Sequence, residues 1–278
     1  MFNRAQLKSN AKDVLKTNYW LSFAACILVN AISQFFSFNI PMPIGEDFNT
    51  ASTELFKNLG YITGFKSSAL FSIIGLGLIL GIAFSIFIIF PLNVGLKRFF
   101  VKSADGKTEF STIFDVFKTG VYLNTVKTMF MKNLFLLLWS LLFLIPYFLM
   151  LIIFVIFNVF ADVSFENSMM LILSYAFSVI LIIPYIIKYY LYYQVDYIIA
   201  DDLNVNWRDA IKESKEMMKE CKFKTFVLEL SFVGWYFLGI MLLGIGGLFV
   251  NPYLQATLAQ LYNDRKNTRI SDHPKSKN

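Results

Sequence analysis

The chain has 278 residues, of which 56% are hydrophobic, 18% aromatic and only 16% charged. Soluble domains run at about 45–50% apolar and about 25% charged, so both deviations point to a membrane protein. The net charge of +6 comes from short basic segments between long uncharged ones, the pattern of cytoplasmic loops and not the basic stripe of a nucleic-acid binder.

In residues 1–19, Arg4, Lys8, Lys12 and Lys16 recur every fourth residue while Leu7, Ala11, Val14 and Leu15 line another side. The spacing predicts a helix in the headgroup layer, its four cations contacting anionic lipid. The simpler alternative is that they only orient the first span; either use places the N-terminus inside. Residues 20–38 are that span, anchored by Tyr19 and Trp20, and the long basic lead-in argues against a cleaved signal peptide. Residues 39–68, with two prolines, three acids and two lysines, read as an outside loop. Residues 69–94 are the second span, where Gly75, Gly77 and Gly81 include a GxxxG spacing that lets another helix approach.

Lys97, Arg98, Lys102, Lys107, Lys118, Lys127 and Lys132 mark 97–132 as an inside segment. Within it Ile113, Phe114, Phe117, Val121 and Val126 predict an amphipathic interfacial helix at 111–132. The third span, 133–160, is interrupted by Pro146. Asp162 and Glu166 sit in a short outside turn, and 168–190 is the fourth span. At 207–222 an amphipathic helix puts Trp207, Ala210, Ile211, Ser214, Met217, Met218 and Cys221 on one face. Asn206 is its N-cap, with Asp209 in the capping-box position. Residues 223–262 are too long for one crossing of a core about 30 Å thick. The glycines at 244–247 supply a reversal, giving spans 223–243 and 246–262 and a polar inside tail at 263–278. The expected fold is all-α: a polytopic transmembrane bundle of about six spans with interfacial helices at 1–19, 111–132 and 207–222.

Catalytic motifs are missing from the sequence. The Gly106–Thr108 GKT has Val101 where a P-loop needs its first glycine, and neither HExxH nor GxSxG occurs. Cys26, Cys221 and His273 are too few and too scattered for a disulfide framework or a metal site; no cofactor or metal is expected. Glu229 is the one acid well inside the fifth span, a functional position by default, although Lys224 lies close enough in the helix to hold it at the interface.

The stretch IIPYIIKYYLYYQVDYIIADD, 182–202, has two readings. Lys188, Tyr192 and Asp196 share a stripe at i, i+4, i+8 and form a candidate polar cup facing the inside. Alternatively the span ends near Ile187, Lys188 reaches the headgroups from its apolar stem, the tyrosines form an interfacial belt and Asp196 lies accessible beyond the lipid.

FPLNVGLKRFF at 90–100, WSLLFLIP at 139–146 and YYQVDYIIADD at 192–202 form a familiar set with AIKESKEMMKECKFKTFVLELSFVGW at 210–235 and GIGGLFVNPYLQATLAQLY at 244–262. With the NAKDVLKTNYW opening they resemble a bacterial integral-membrane family, domain of unknown function 975. Tyr147 and Tyr185 depart from it, following Pro146 and Pro184 where members often carry glycine. The resemblance implies a compartment and a fold, and no activity. It also implies a distant similarity to the membrane region of some glycerophosphodiester phosphodiesterases, hence to lipid-related work.

The expected role is non-catalytic: a multi-pass protein of the bacterial cytoplasmic membrane, both termini inside, acting on anionic lipids or a membrane protein partner and not on nucleic acid. One alternative is a small transporter with helices broken at Pro146 and Pro184 around a midplane site. The other is a lipid-processing enzyme, disfavoured because no nucleophile–base set is visible.

Overall fold

A computed structural model describes residues 2–35, 75–77, 79–106, 109–160, 182–241 and 246–272. The expected outside loop 39–68, the Asp162–Glu166 turn and the start of the fourth span lie outside the described residues. Among the described residues the secondary structure is helical, with no strand. Helix α1 is Arg4–Phe35, α2 is Phe90–Ala104, α3 is Tyr122–Phe160 and α4 is Val195–Asp201. Helices α5, Trp207–Met218, α6, Lys222–Met241, and α7, Gly246–Asp272, complete the series.

Several expected boundaries fall inside continuous helices. The interfacial segment and the first span are one helix, α1, bent at Asn18 where φ is −128°. Leu7, Ala11 and Leu15 are buried in the protein core, so this apolar face packs on neighbouring helices. Residues 79–104 are likewise helical throughout, with a π-helical turn at Ser85–Ile89 just before Pro91. Proline cannot donate to the carbonyl four residues back. That carbonyl belongs to Phe87, and it instead accepts a hydrogen bond from the Tyr122 hydroxyl at 2.8 Å.

The interfacial helix expected at 111–132 does not form as one helix. Phe110–Phe117 is a 3-10 helix, Gly120 turns the chain at φ +95°, and α3 starts afresh at Tyr122. Period counting failed because residues 111–117 turn with three residues per turn and a glycine resets the phase. Helix α3 then runs through Pro146 without ending, so it is not a discontinuous helix of the transporter type. Helix α5 stops at Met218, short of the expected residue 222, and α7 extends beyond 262 into the expected tail. The Asn206 cap is present, accepting from the Arg208 amide at 3.2 Å.

Helices α6 and α7 form an antiparallel hairpin: Phe232 meets Tyr253 at 5.1 Å between ring centroids, while Gly239 lies against Gly246. The chain therefore reverses at the glycine segment. No described atom comes within 4 Å of a Cβ built on Gly75 or Gly81, so no described helix uses that glycine face. Helix α1 runs antiparallel to α7, with Phe23 stacked on Phe249 near one end and Arg265 over Phe2 at the other.

The helices share a charged end and an apolar end. At the charged end Arg98 donates to the Ala200 and Asp201 carbonyls at 2.7 and 3.0 Å, satisfying the last turn of α4. Asn124 donates to the Leu203 and Val205 carbonyls, Lys266 pairs with Asp201 at 2.5 Å, and Arg269 pairs with Glu213 and Glu216. At the apolar end large hydrophobic side chains point outward: Ile79, Leu80, Leu141, Leu142, Ile183 and Leu238 are all exposed. Two stretches, Gly75–Ala104 and Tyr122–Leu149, are long and apolar enough to cross a membrane.

Candidate functional site

The helix at 182–191 gives way to a turn at 192–194 before α4 begins. Tyr192 and Tyr193 donate to the carbonyls three residues back, Tyr189 and Tyr190, which tightens the helix end. This turn breaks the expected Lys188–Tyr192–Asp196 stripe. Lys188 sits with its ammonium 4.0 Å from the Trp139 ring centroid, and the Trp139 indole N–H donates to the Tyr192 hydroxyl at 3.4 Å. Lys188 and Tyr192 thus meet through Trp139, whereas Asp196 turns inward.

Asp196 is 5% exposed, where the lipid-anchor reading expected it to be accessible. Its carboxylate bridges two lysines from different helices: Lys132 of α3 binds Oδ1 at 2.5 Å, and Lys97 of α2 binds Oδ2. Burial alone would raise the Asp196 carboxyl, but Lys132 and then Lys97 outweigh it and hold it down at about 2. The Lys97 Nζ also lies 5.2 Å from the Tyr197 ring centroid. Gln194 and Tyr197 are buried beside Asp196 in the chain, and among the described residues their side-chain polar atoms have no hydrogen-bond partner.

Glu229 does not pair with Lys224; it accepts hydrogen bonds from the Tyr190 and Tyr193 hydroxyls. These bonds tie α6 to the end of the 182–191 helix. Replacing both tyrosines by phenylalanine removes two bonds to a charged acceptor, each worth about 1.5–3 kcal/mol. The expected result is a lower thermal midpoint for the purified double variant, recovered in part when Glu229→Leu is added.

The four N-terminal cations separate into two kinds. Lys8 is turned onto the protein, donating to Ser231 Oγ at 2.7 Å and lying 4.5 Å from the Phe232 ring centroid. Arg4, Lys12 and Lys16 are exposed, with Lys16 paired to Asp13.

Near the α4 C-terminus a cleft of about 320 Å³ is lined by Arg98, Asp115, Lys118, Asp201, Asp202 and Asn204. Arg98 and Lys118 pair with Asp115, and Asp201 pairs with Lys266 outside the cleft. Burial would raise Asp115, but hydrogen bonds from Lys118, Lys102 and Arg98 hold its carboxyl at about 2. Among the described residues no cluster of three or more His, Cys, Asp or Glu is placed to hold a metal ion.

Pattern reading missed Lys97 and Lys132, although the sequence carries a signal for both. Lys97 is flanked at i−3 and i+4 by Val94 and Val101, and Lys132 by Met129 and Leu136, all buried. A lysine with apolar neighbours at both positions is on a core face and needs a carboxylate there. The arrangement joins α2, α3 and α4 through charge. A carboxylate saturated by two ammoniums is a poor base, so its chemistry is that of a structural clamp.

No curated protein and no solved structure matches the chain. Residues 1–268 match the family described as "Protein of unknown function (DUF975)". That match spans the clamp, the tyrosine–glutamate pair and every described helix up to its last turn, and the chain belongs to this family.

Proposed function

We propose that the chain is a polytopic protein of the bacterial cytoplasmic membrane, non-catalytic, which presents its charged end to the cytoplasm and engages anionic lipid or a membrane protein partner there. One observation carries this reading: most of the outward-facing apolar side chains, on residues 76–88, 137–152, 182–187 and 230–241, lie away from the end where the ion pairs gather. In the two stretches long enough to cross a membrane, only 12% and 17% of the most apolar window is buried. The core helix of a soluble protein would have that window buried, and water does not tolerate so large a contiguous apolar surface. Phe223 is exposed at the start of α6 and Trp20 just after the bend of α1 at Asn18, positions that suit interfacial aromatic anchors.

Among its exposed residues the charged end carries Arg4, Lys12, Lys16, Arg208, Lys212 and Lys215, cations that suit an anionic inner leaflet. Arg4, Lys12 and Lys16 then serve as lipid contacts, while Lys8 belongs to helix packing.

Reporter fusions test the topology. Fusions after residue 166 are expected to read outside, and those after 222 and 265 inside; an outside reading at 265 would contradict the arrangement. Copurification in native lipid tests the role: enrichment of anionic lipid or of one membrane protein supports it. Bulk lipid composition with no partner contradicts it.

A further inference from the structure

At about 100° per residue, Arg208, Lys212 and Lys215 fall on one stripe of α5, and Asp209, Glu213 and Glu216 on the adjoining one. The ion pairs of Arg269 with Glu213 and Glu216 fix the acidic stripe towards α7. The basic stripe lies on the other side, beside α3. There the Lys215 ammonium is 5.0 Å from the Tyr192 ring centroid and the Arg208 guanidinium 5.1 Å from Trp207. Phe135 joins these rings, 6.2 Å from Tyr192 and 6.3 Å from Trp207. Through Trp139 the same aromatic group reaches Lys188.

Lys188, Arg208 and Lys215 therefore border one aromatic patch, and Lys212 shares the stripe of α5 with Arg208 and Lys215. Among the described residues no carboxylate lies within ion-pair distance of any of them. This contrasts with Arg98, Lys97, Lys132, Lys266 and Arg269 at the same end, each of which has an acid. The patch also lies where the exposed apolar surface begins. Ile186 and Ile187 precede Lys188, and Leu137, Leu138 and Leu141 flank Trp139, all exposed. A ligand matching this surface carries a negative head and an apolar body.

We infer that this patch is a binding site for one anionic phospholipid, resting on the membrane reading above. The headgroup phosphate sits among Lys188, Arg208, Lys212 and Lys215, and the acyl chains lie along the exposed flank of α3 and residues 182–187. Trp139 and Trp207 form the interfacial wall between them. The site is distinct from the N-terminal cations, whose contact is with bulk anionic surface.

Native mass spectrometry of the purified full chain, titrated with phosphatidylglycerol or phosphatidylcholine, tests the site. The intact protein is expected to retain phosphatidylglycerol in preference to phosphatidylcholine. The Arg208→Gln/Lys212→Gln/Lys215→Gln variant is expected to lose that preference, by about fivefold for each charge removed, with an unchanged melting temperature. Arg4→Gln/Lys12→Gln/Lys16→Gln is expected to retain it. Lys188→Gln alone is expected to weaken it by a single step. Equal losses in the two triple variants would overturn the site in favour of non-specific attraction, and so would no loss in the first. Displacement of the lipid by inorganic phosphate would overturn the lipid assignment. Recovery of the intact chain from the soluble fraction with no lipid bound would instead sink the membrane reading itself.

Discussion

Asp196→Ala is expected to destabilise the purified protein by about 3–5 kcal/mol, because it leaves the buried Lys132 and the partly buried Lys97 with no counter-charge. Lys132 is 9% exposed, so water cannot take over the role of the carboxylate. The same removal at Asp13, whose pair with Lys16 is exposed on both sides, is expected to change stability by less than about 1 kcal/mol. Replacing the whole clamp discriminates further. Lys97→Met with Lys132→Met and Asp196→Leu removes all three charges together, and apolar replacement of buried ion groups is often neutral or stabilising. The triple variant is therefore expected to be more stable than Asp196→Ala, measured by thermal unfolding in detergent. A triple variant as unstable as the single one would show that Asp196 does something other than balance the lysines.

The clamp also sets an acid limit. The Asp196 carboxyl is held at about 2 against about 3.9 in an unfolded chain. A group whose folded value is depressed contributes fully above the unfolded value, and that contribution is lost as pH falls through the folded one. The pairing therefore loses its stabilisation between about pH 4 and pH 2, and Asp196→Asn is expected to flatten the stability profile there.

Gly95→Val is expected to prevent accumulation of folded protein. Helix α2 crosses the 3-10 helix so closely that a Cβ at Gly95 overlaps the Ile113 carbonyl oxygen and lies 2.9 Å from its carbon. The obstacle is backbone, which cannot rotate away as a side chain can, and Ile113 is itself fully buried. Overpacking costs typically about 1–3 kcal/mol, more where nothing can yield. Gly239→Ala is expected to damage the α6–α7 hairpin similarly, since its Cβ would lie 2.7 Å from the Gly246 carbonyl carbon. Gly75→Ala and Gly81→Ala are the contrast: with no described atom within 4 Å of the added Cβ at either position, helix propensity gives a gain of about 0.5–1 kcal/mol. Expression level and thermal midpoint of the four variants give the order directly.

The residues whose structure was readable from the chain are those governed by local rules. The buried face of α5, its Asn206 cap and the reversal between α6 and α7 follow from spacing within a few turns. The 3-10 segment at Phe110–Phe117 was not readable, because Ile113, Phe114 and Phe117 fit a 3.6-residue stripe, whereas the buried positions Ile113 and Val116 are three residues apart and Phe114 and Phe117 are exposed. The clamp was hidden for a different reason. Asp196 is 99 residues from Lys97 and 64 from Lys132 in the chain, and no periodicity reports which helix lies opposite. The turn at 192–194 mattered as much: without it Asp196 continues the Lys188 stripe, and with it the carboxylate enters the core. The residues leading into and through it, Tyr190, Leu191, Tyr192, Tyr193 and Gln194, include no glycine or proline to announce that turn.

Cysteine labelling tests the membrane-embedded arrangement against a background of two native cysteines, Cys26 and Cys221, that are both buried. Leu142 lies on the exposed apolar surface and Asn204 is exposed at the charged end. With a membrane-impermeant maleimide, Asn204→Cys is expected to label in inverted membrane vesicles and not in intact cells. Leu142→Cys is expected to label in neither, its exposed side chain being covered by lipid. Labelling of Leu142→Cys by the aqueous reagent in undissolved membranes, or of Asn204→Cys from outside intact cells, would contradict the membrane-embedded arrangement.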